Sequence, residues 1–163
     1  MYYITINKIR YKFIFVNSIE LLNFMEKNSL LQKSFIKVAE DNYKMKSSFS
    51  LNHLIMTENF YKKKSKKIMY FLIFNDSHIL TTSRIIYSNK NGYINFVRTN
   101  RNFRKIGLCY RNIKKLIELS NNKLNIHSFS LEVEKDNIAA IKCYQKNGFK
   151  IDKKNDDSYI LTL

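Results

Sequence analysis

The sequence predicts an α/β fold on a mixed, mostly antiparallel central sheet, and three observations carry that reading. An Asn91-Gly92 pair stands between two runs rich in β-branched and aromatic residues, Ile79–Tyr87 and Tyr93–Thr99, which is a strong hairpin signal. Ile68–Phe74 is a continuous apolar run too short for a typical helix, so it reads as a strand buried on both faces. After Gly107 the period changes: Cys109, Ile113, Leu116 and Ile117 fall at i, i+4, i+7 and i+8, the spacing of one helix face. With 163 residues, 45% of them hydrophobic, residues 1–163 form a single domain with enough apolar surface for one core.

The elements follow in order. Tyr2–Ile6 and Tyr11–Val16 are short strands able to pair as a hairpin. Ser18 offers an N-cap for a helix to about Lys27, and Ser29-x-x-Gln32 is a capping-box pattern for the next. Leu31, Phe35, Val38 and Ala39 give that second helix an apolar stripe, ending near Asp41 or Lys46. Residues 47–61 fit helical and strand periods equally, and are read as irregular. Two strands and the Asn89–Gly92 turn lead to Tyr93–Thr99 and the helix after Gly107. In Ile126–Glu134, alternation sends Leu131 and Val133 to one face and Glu132 to the other. Asp136 or Asn137 caps a helix to about Lys146, Gly148 takes the position after it, and Phe149–Lys153 with Ser158–Leu163 closes the chain as a hairpin.

A net charge of +16 sets up a field that attracts anions, whether nucleic acid, an anionic membrane or a phosphorylated ligand. Lys, Asn, Ile, Tyr and Phe share A/T-rich codons, so the charge reads first as a compositional bias and as solvated surface. The Lys62–Lys67 run lacks interleaved aromatic rings, which argues for a solvated loop over a stacking platform. Cys109 and Cys143 show no C-x-x-C spacing and are read as reduced, unpaired thiols in a cytoplasmic protein. The three histidines have no metal-ligand spacing, so no metal is expected. No apolar run approaches the roughly 18 residues of a membrane span.

Two motifs carry chemistry. Arg104-Lys105-Ile106-Gly107-Leu108-Cys109 is a basic turn with a glycine where a strand becomes a helix, and the free N–H groups and dipole of a helix start make an anion site there. Downstream stands L-E-V-x-x-x-N-x-A-A-I-x-x-Y-x-x-x-G-F, from Leu131 through Asn137 and Tyr144 to Phe149. In this order and spacing the pair resembles the GCN5-related N-acetyltransferase (GNAT) family over roughly Tyr93 to Leu163, and within it the enzymes that acetylate protein N-termini, such as ribosomal-protein alanine acetyltransferases.

The resemblance implies a sheet of about seven strands with four helices, and an acyltransferase that takes acetyl-CoA as donor and a primary amine as acceptor, by direct attack, as a monomer or homodimer. It places the thioester and pantetheine along the backbone of Phe96, Val97 and Thr99, the pyrophosphate on Arg104 to Cys109, and the pantetheine side near Asn137. Tyr144 matches the tyrosine that protonates the leaving thiolate, and Glu132 the general base. The family prefers Gly or Ala where Cys109 stands, and the strand before the turn lacks an Asp or Glu, which leaves Glu132 as the base. A silent relative that binds coenzyme A without turnover, and a basic nucleic-acid binder, are the alternative readings; the second leaves the paired motifs unexplained.

Overall fold

The computed structural model describes residues 2–41 and 50–163. The hairpin β1 (Tyr2–Ile6) and β2 (Ile9–Val16) leads into α1 (Ser18–Glu26), α2 (Ser29–Glu40) and α3 (Asn52–Lys63). Three antiparallel strands follow, β3 (Lys67–Phe74), β4 (Ile79–Ser88) and β5 (Asn91–Thr99), then a 3-10 turn at Arg101–Phe103 and α4 (Leu108–Leu124). β6 (Ser128–Glu134), α5 (Ile138–Lys146), β7 (Lys150–Lys154) and β8 (Ser158–Thr162) complete the chain. Among the described residues all eight strands join one sheet in the order β1-β2-β3-β4-β5-β6-β8-β7, and only the β5–β6 pair is parallel. The class is the expected one, with one strand and one helix more than the expected counts.

Each face of the sheet has its own core. One packs α4 and α5 through Ile113, Leu116, Ile141 and Tyr144 against Phe71, Ile85 and Ile94; the other packs α1–α3 through Leu21, Phe35 and Leu54 against Tyr70, Leu72 and Ile86. The stripe Leu31, Phe35, Val38 and Ala39 is buried as its spacing requires. Among the described residues no helix is long and apolar enough to cross a membrane.

Four local expectations are corrected. The N-cap of α1 is Asn17, whose Oδ1 accepts from the N–H of Ile19 and Glu20 while Glu20 Oε2 accepts from the Asn17 N–H, a complete capping box. The Ser18 hydroxyl instead donates to Glu58 on α3. α2 starts without its predicted capping box: Asn28 is the N-cap and makes no side-chain cap, because its Nδ2 donates to Phe24 O at 2.6 Å. Most of helix α3 lies in the ambiguous stretch, where burial of Leu54 against α1 and β3 decides for the helical period, and its last two residues, Lys62 and Lys63, take the start of the run read as a loop; residues 47–49, and the extension of α2 toward Lys46, lie outside the described residues. The β4–β5 turn is Asn89-Lys90, with Ser88 already paired to Asn91. Gly92 lies within β5, where a Cβ would come within 2.5 Å of Ile85 Cδ1, so this glycine serves close packing and not the turn.

The feature that positions the site is a bulge in β5. Thr82 pairs with Arg98 and Arg84 with Asn95, so Phe96 and Val97 together oppose the single residue Ser83. Phe96 takes a left-handed φ of 52°. The extra residue sends Phe96 to the α1–α3 core and Val97 to the α4–α5 core, and bends the strand. Pairing of β5 with β6 accordingly stops at Ile94–Leu131, although both strands run on. The two parallel strands part like a V.

Candidate active site

A cleft of about 900 Å³ fills the V. Residues 94–99 of β5 form one wall and Glu132, Val133 and Glu134 of β6 the other, with the turn into α4 and one side of α5 closing the end. Past Ile94, the edge of β5 that faces the cleft has no ladder partner from β6. Such an edge offers backbone hydrogen bonds to an extended ligand.

At the turn, Gly107 is the N-cap of α4 with φ 79°, and no side chain caps the helix. A Cβ at Gly107 would meet nothing within 4 Å, so the first turn of α4 presents bare backbone to open space. Free N–H groups, the helix dipole and the nearby Lys105 give this turn a field and donors suited to an anion. Arg104 is engaged within the protein: Nε donates to Thr99 O at 3.2 Å and Nη2 to Asp41 Oδ2 at 3.1 Å. Asp41, at the C-terminus of α2, also pairs with Arg101. An acidic residue therefore shares the basic turn, which the motif alone does not show.

Tyr144 sits on α5 with 6% of its surface exposed, its ring edge-on to Phe149. Burial pushes its phenol up to about 12, against the pull of the nearby Arg98 charge. Glu132 is exposed on β6, lines the cleft, and accepts from the Ser158 hydroxyl. Tyr93 faces the same region, its phenol raised by burial and then by the Glu132 charge. Asn137 caps α5, its Oδ1 accepting from Ala140 N–H at 3.2 Å. Of the residues the motifs single out, Phe96, Val97, Thr99, Arg104, Lys105, Gly107, Leu108, Cys109, Glu132, Asn137 and Tyr144 all line this cleft. Ile106 does not; its side chain packs on the α4–α5 core.

The expectation of two free thiols is wrong. Cys109 in the first turn of α4 and Cys143 on α5 form a disulfide, with Cα atoms 6.2 Å apart. The cause is tertiary: α5 folds back from β6 onto the start of α4, which brings together residues 34 apart in sequence. The bridge ties the start of α4 to the helix that carries Tyr144. Sequence reasoning also missed Arg98 and Asp41, both in the cleft wall.

This arrangement can hold a phosphorylated thioester along β5, polarise its carbonyl with strand N–H groups, and supply a protonated phenol on the far side. Comparison agrees. The cleft overlaps the part of the chain, residues 37–149, that matches the Acetyltransferase (GNAT) family. The fold is that of PseH, an N-acetyltransferase of Campylobacter jejuni solved with acetyl coenzyme A, at 21% identity over 94% of this chain and 97% of that one, TM-score 0.59. It is also that of a spermidine N-acetyltransferase from Vibrio cholerae in complex with CoA and spermine (14% identity, 94% of each chain, TM-score 0.59) and of a GNAT acetyltransferase from Streptococcus pneumoniae (17% identity, 93% and 98%, TM-score 0.61). No curated protein sequence matches significantly. The splayed strands, the uncapped glycine turn and the matched segment lead to one assignment: the chain belongs to the GNAT acetyltransferase family and is an acyltransferase with acetyl-CoA as its donor.

Proposed function

We propose that this enzyme moves the acetyl group to the α-amine of a neutral or acidic peptide N-terminus, by direct attack within the V-shaped cleft. The observation that carries the reading is the placement of Glu132 and Tyr144 on separate elements of one cleft, with the phosphate turn at its end. Glu132 takes the amine proton, directly or through a water. Backbone N–H groups of Phe96 to Thr99 polarise the thioester carbonyl, and Tyr144 gives a proton to the departing sulfur. Arg104 to Cys109 hold the pyrophosphate, and Asn137 borders the pantetheine arm. Both cysteines are committed to a disulfide, which supports direct attack over an acetyl-cysteine intermediate.

The motif L-E-V-x-x-x-N…Y supports the peptide acceptor, and the charge supports its neutral or acidic character. A chain of net charge +16 repels polycations at low ionic strength. Small amines are the second reading, favoured by the fold shared with a spermidine acetyltransferase. The disulfide removes the free thiols on which the cytoplasmic expectation stood, since a reducing cytoplasm keeps thiols unpaired. Turnover of peptides that differ only in acidic or basic residues at positions two to four, with spermidine alongside, decides the acceptor. A preference for the basic series or for spermidine at low salt overturns the peptide reading.

A further inference from the structure

Before the V opens, β4, β5 and β6 lie side by side and their ladder rows continue across all three strands. Ile86 stands opposite Tyr93 and Tyr93 opposite Ser130; two residues farther from the cleft, Ser88 stands opposite Asn91 and Asn91 opposite Ser128. All six line a second cavity, of about 370 Å³. Side-chain alternation fixes the face they share. The neighbouring pair Ile94–Leu131 is buried in the α4–α5 core, whereas Ile86 belongs to the α1–α3 core, so both rows face the α1–α3 side. Tyr93 is 37% exposed and Ser128 is exposed, which leaves the floor of the cavity open.

The floor leads to the base. Asn95 follows Tyr93 by two residues on β5 and Glu132 follows Ser130 by two on β6, so they make the next row on the same face, and both line the V-shaped cleft. Along β6, Ser130 is about 7 Å and Ser128 about 14 Å from Glu132, room for about four residues of extended chain beyond the first. The hydroxyls and amides of the lining both donate and accept, as the backbone of such a chain requires. Lys66 is the one charged side chain among the described lining residues, and it makes no ion pair with any of them. Since Lys67 pairs with Tyr87, Lys66 stands beside Ser88, at the end far from Glu132. Glu58 on α3 acts on Tyr87 of this cavity but does not line it, and it accepts from the Ser18 hydroxyl. A carboxylate therefore finds a partner at the far end, and a polyamine finds a like charge.

We propose that this trough is the acceptor subsite. A peptide lies extended along β6 with its amine at Glu132, its second and third residues over Tyr93 and Ser130, and an acidic side chain at its fourth or fifth position paired with Lys66. The inference rests on the reading of a peptide as acceptor and of Glu132 as its base.

Peptides of two to seven residues with a common N-terminus test it, in series carrying Asp, Gln or Lys at positions four and five, with spermidine alongside. Affinity is measured by calorimetry on the enzyme loaded with coenzyme A, and turnover with acetyl-CoA. In the wild type, affinity should rise with length to five or six residues and then level, with the Asp series ahead of the Lys series at low salt. Lys66→Glu should reverse that order, shifting each series on the order of 5-fold. Ser130→Phe, which fills the trough, should weaken hexapeptides about 10-fold or more. The affinity for acetyl-CoA should be unchanged in both variants, which also reports that they fold. Peptide affinity that ignores length and charge, or that neither substitution moves, overturns the trough, while peptide turnover in the same experiment keeps the peptide reading. Binding and acetylation of spermidine with none of any peptide overturns both.

Discussion

Ser158 on β8 donates its hydroxyl to Oε1 of Glu132 on β6, the carboxylate assigned as the base. In the β6–β8 ladder Ser158 stands opposite Glu134 while Glu132 stands opposite Ile160, so the bond runs diagonally across one face of the pair. It fixes one carboxylate oxygen and leaves Oε2 to accept from the amine or a water. Glu132→Gln should lower kcat about 100-fold or more, the range of general-base loss, and Ser158→Ala by a smaller factor, with KM for acetyl-CoA unchanged in both. Steady-state kinetics checks this; full activity in Glu132→Gln removes the base assignment.

The open space above Gly107 separates two substitutions. Gly107→Ala meets no neighbour and suffers only its left-handed φ, so it should fold at a cost of about 1 kcal/mol and still bind acetyl-CoA. Gly107→Asp folds equally well but sets a negative charge against the pyrophosphate, and binding should vanish. Calorimetric titration of the two proteins is the check, and equal affinities would sink the phosphate cradle.

Tyr144 also links stability to pH. Its phenol is raised from the ordinary 10 to about 12 in the folded state, so above pH 10 the folded protein binds the proton that the unfolded chain has lost. The stability this group contributes is full below pH 10 and declines as pH rises toward 12, by roughly 1.4 kcal/mol per pH unit in that window. Urea unfolding of wild type and Tyr144→Phe across this range should show the steeper decline in the wild type; parallel curves contradict the burial of a neutral phenol.

The disulfide closes a loop of sequence separation 34, for which chain entropy alone suggests roughly 3 to 4 kcal/mol of stabilisation. Cys109→Ala and Cys143→Ala should therefore melt at lower temperature while retaining turnover. Alkylation followed by mass spectrometry should label no thiol until a dithiol reductant is added. Two labelled cysteines in the untreated protein would remove the bridge.

Most of the sheet was legible because its strands are short apolar or alternating runs whose period depends on nearest neighbours alone. α4, α5 and the stripe of α2 were legible for the same reason, and the two motifs place Gly107, Glu132 and Tyr144 in one cleft. α3 was not, since Leu51, Leu54 and Ile55 fit a helical turn while Phe49, Leu51 and His53 fit alternation, until burial of Leu54 chooses the helix. Arg98 was hidden because the β5 bulge redirects side chains, and an extra residue in a ladder is visible only once the partner strand is known. The Cys109–Cys143 bridge and the Asp41–Arg104 pair join elements far apart in sequence, so no spacing rule reveals them.

The Asp41 ion pair couples the two faces of the sheet. On the proposed function its carboxylate and a pyrophosphate compete for the same guanidinium of Arg104, and Asp41 ends α2, a helix packed on the face of the sheet opposite α4. Under the proposed function a pyrophosphate that takes Arg104 costs Asp41 one of its two partners, and Arg101 remains as the other. Linkage makes the effect mutual: an acceptor that shifts the end of α2 frees Arg104 for the phosphates.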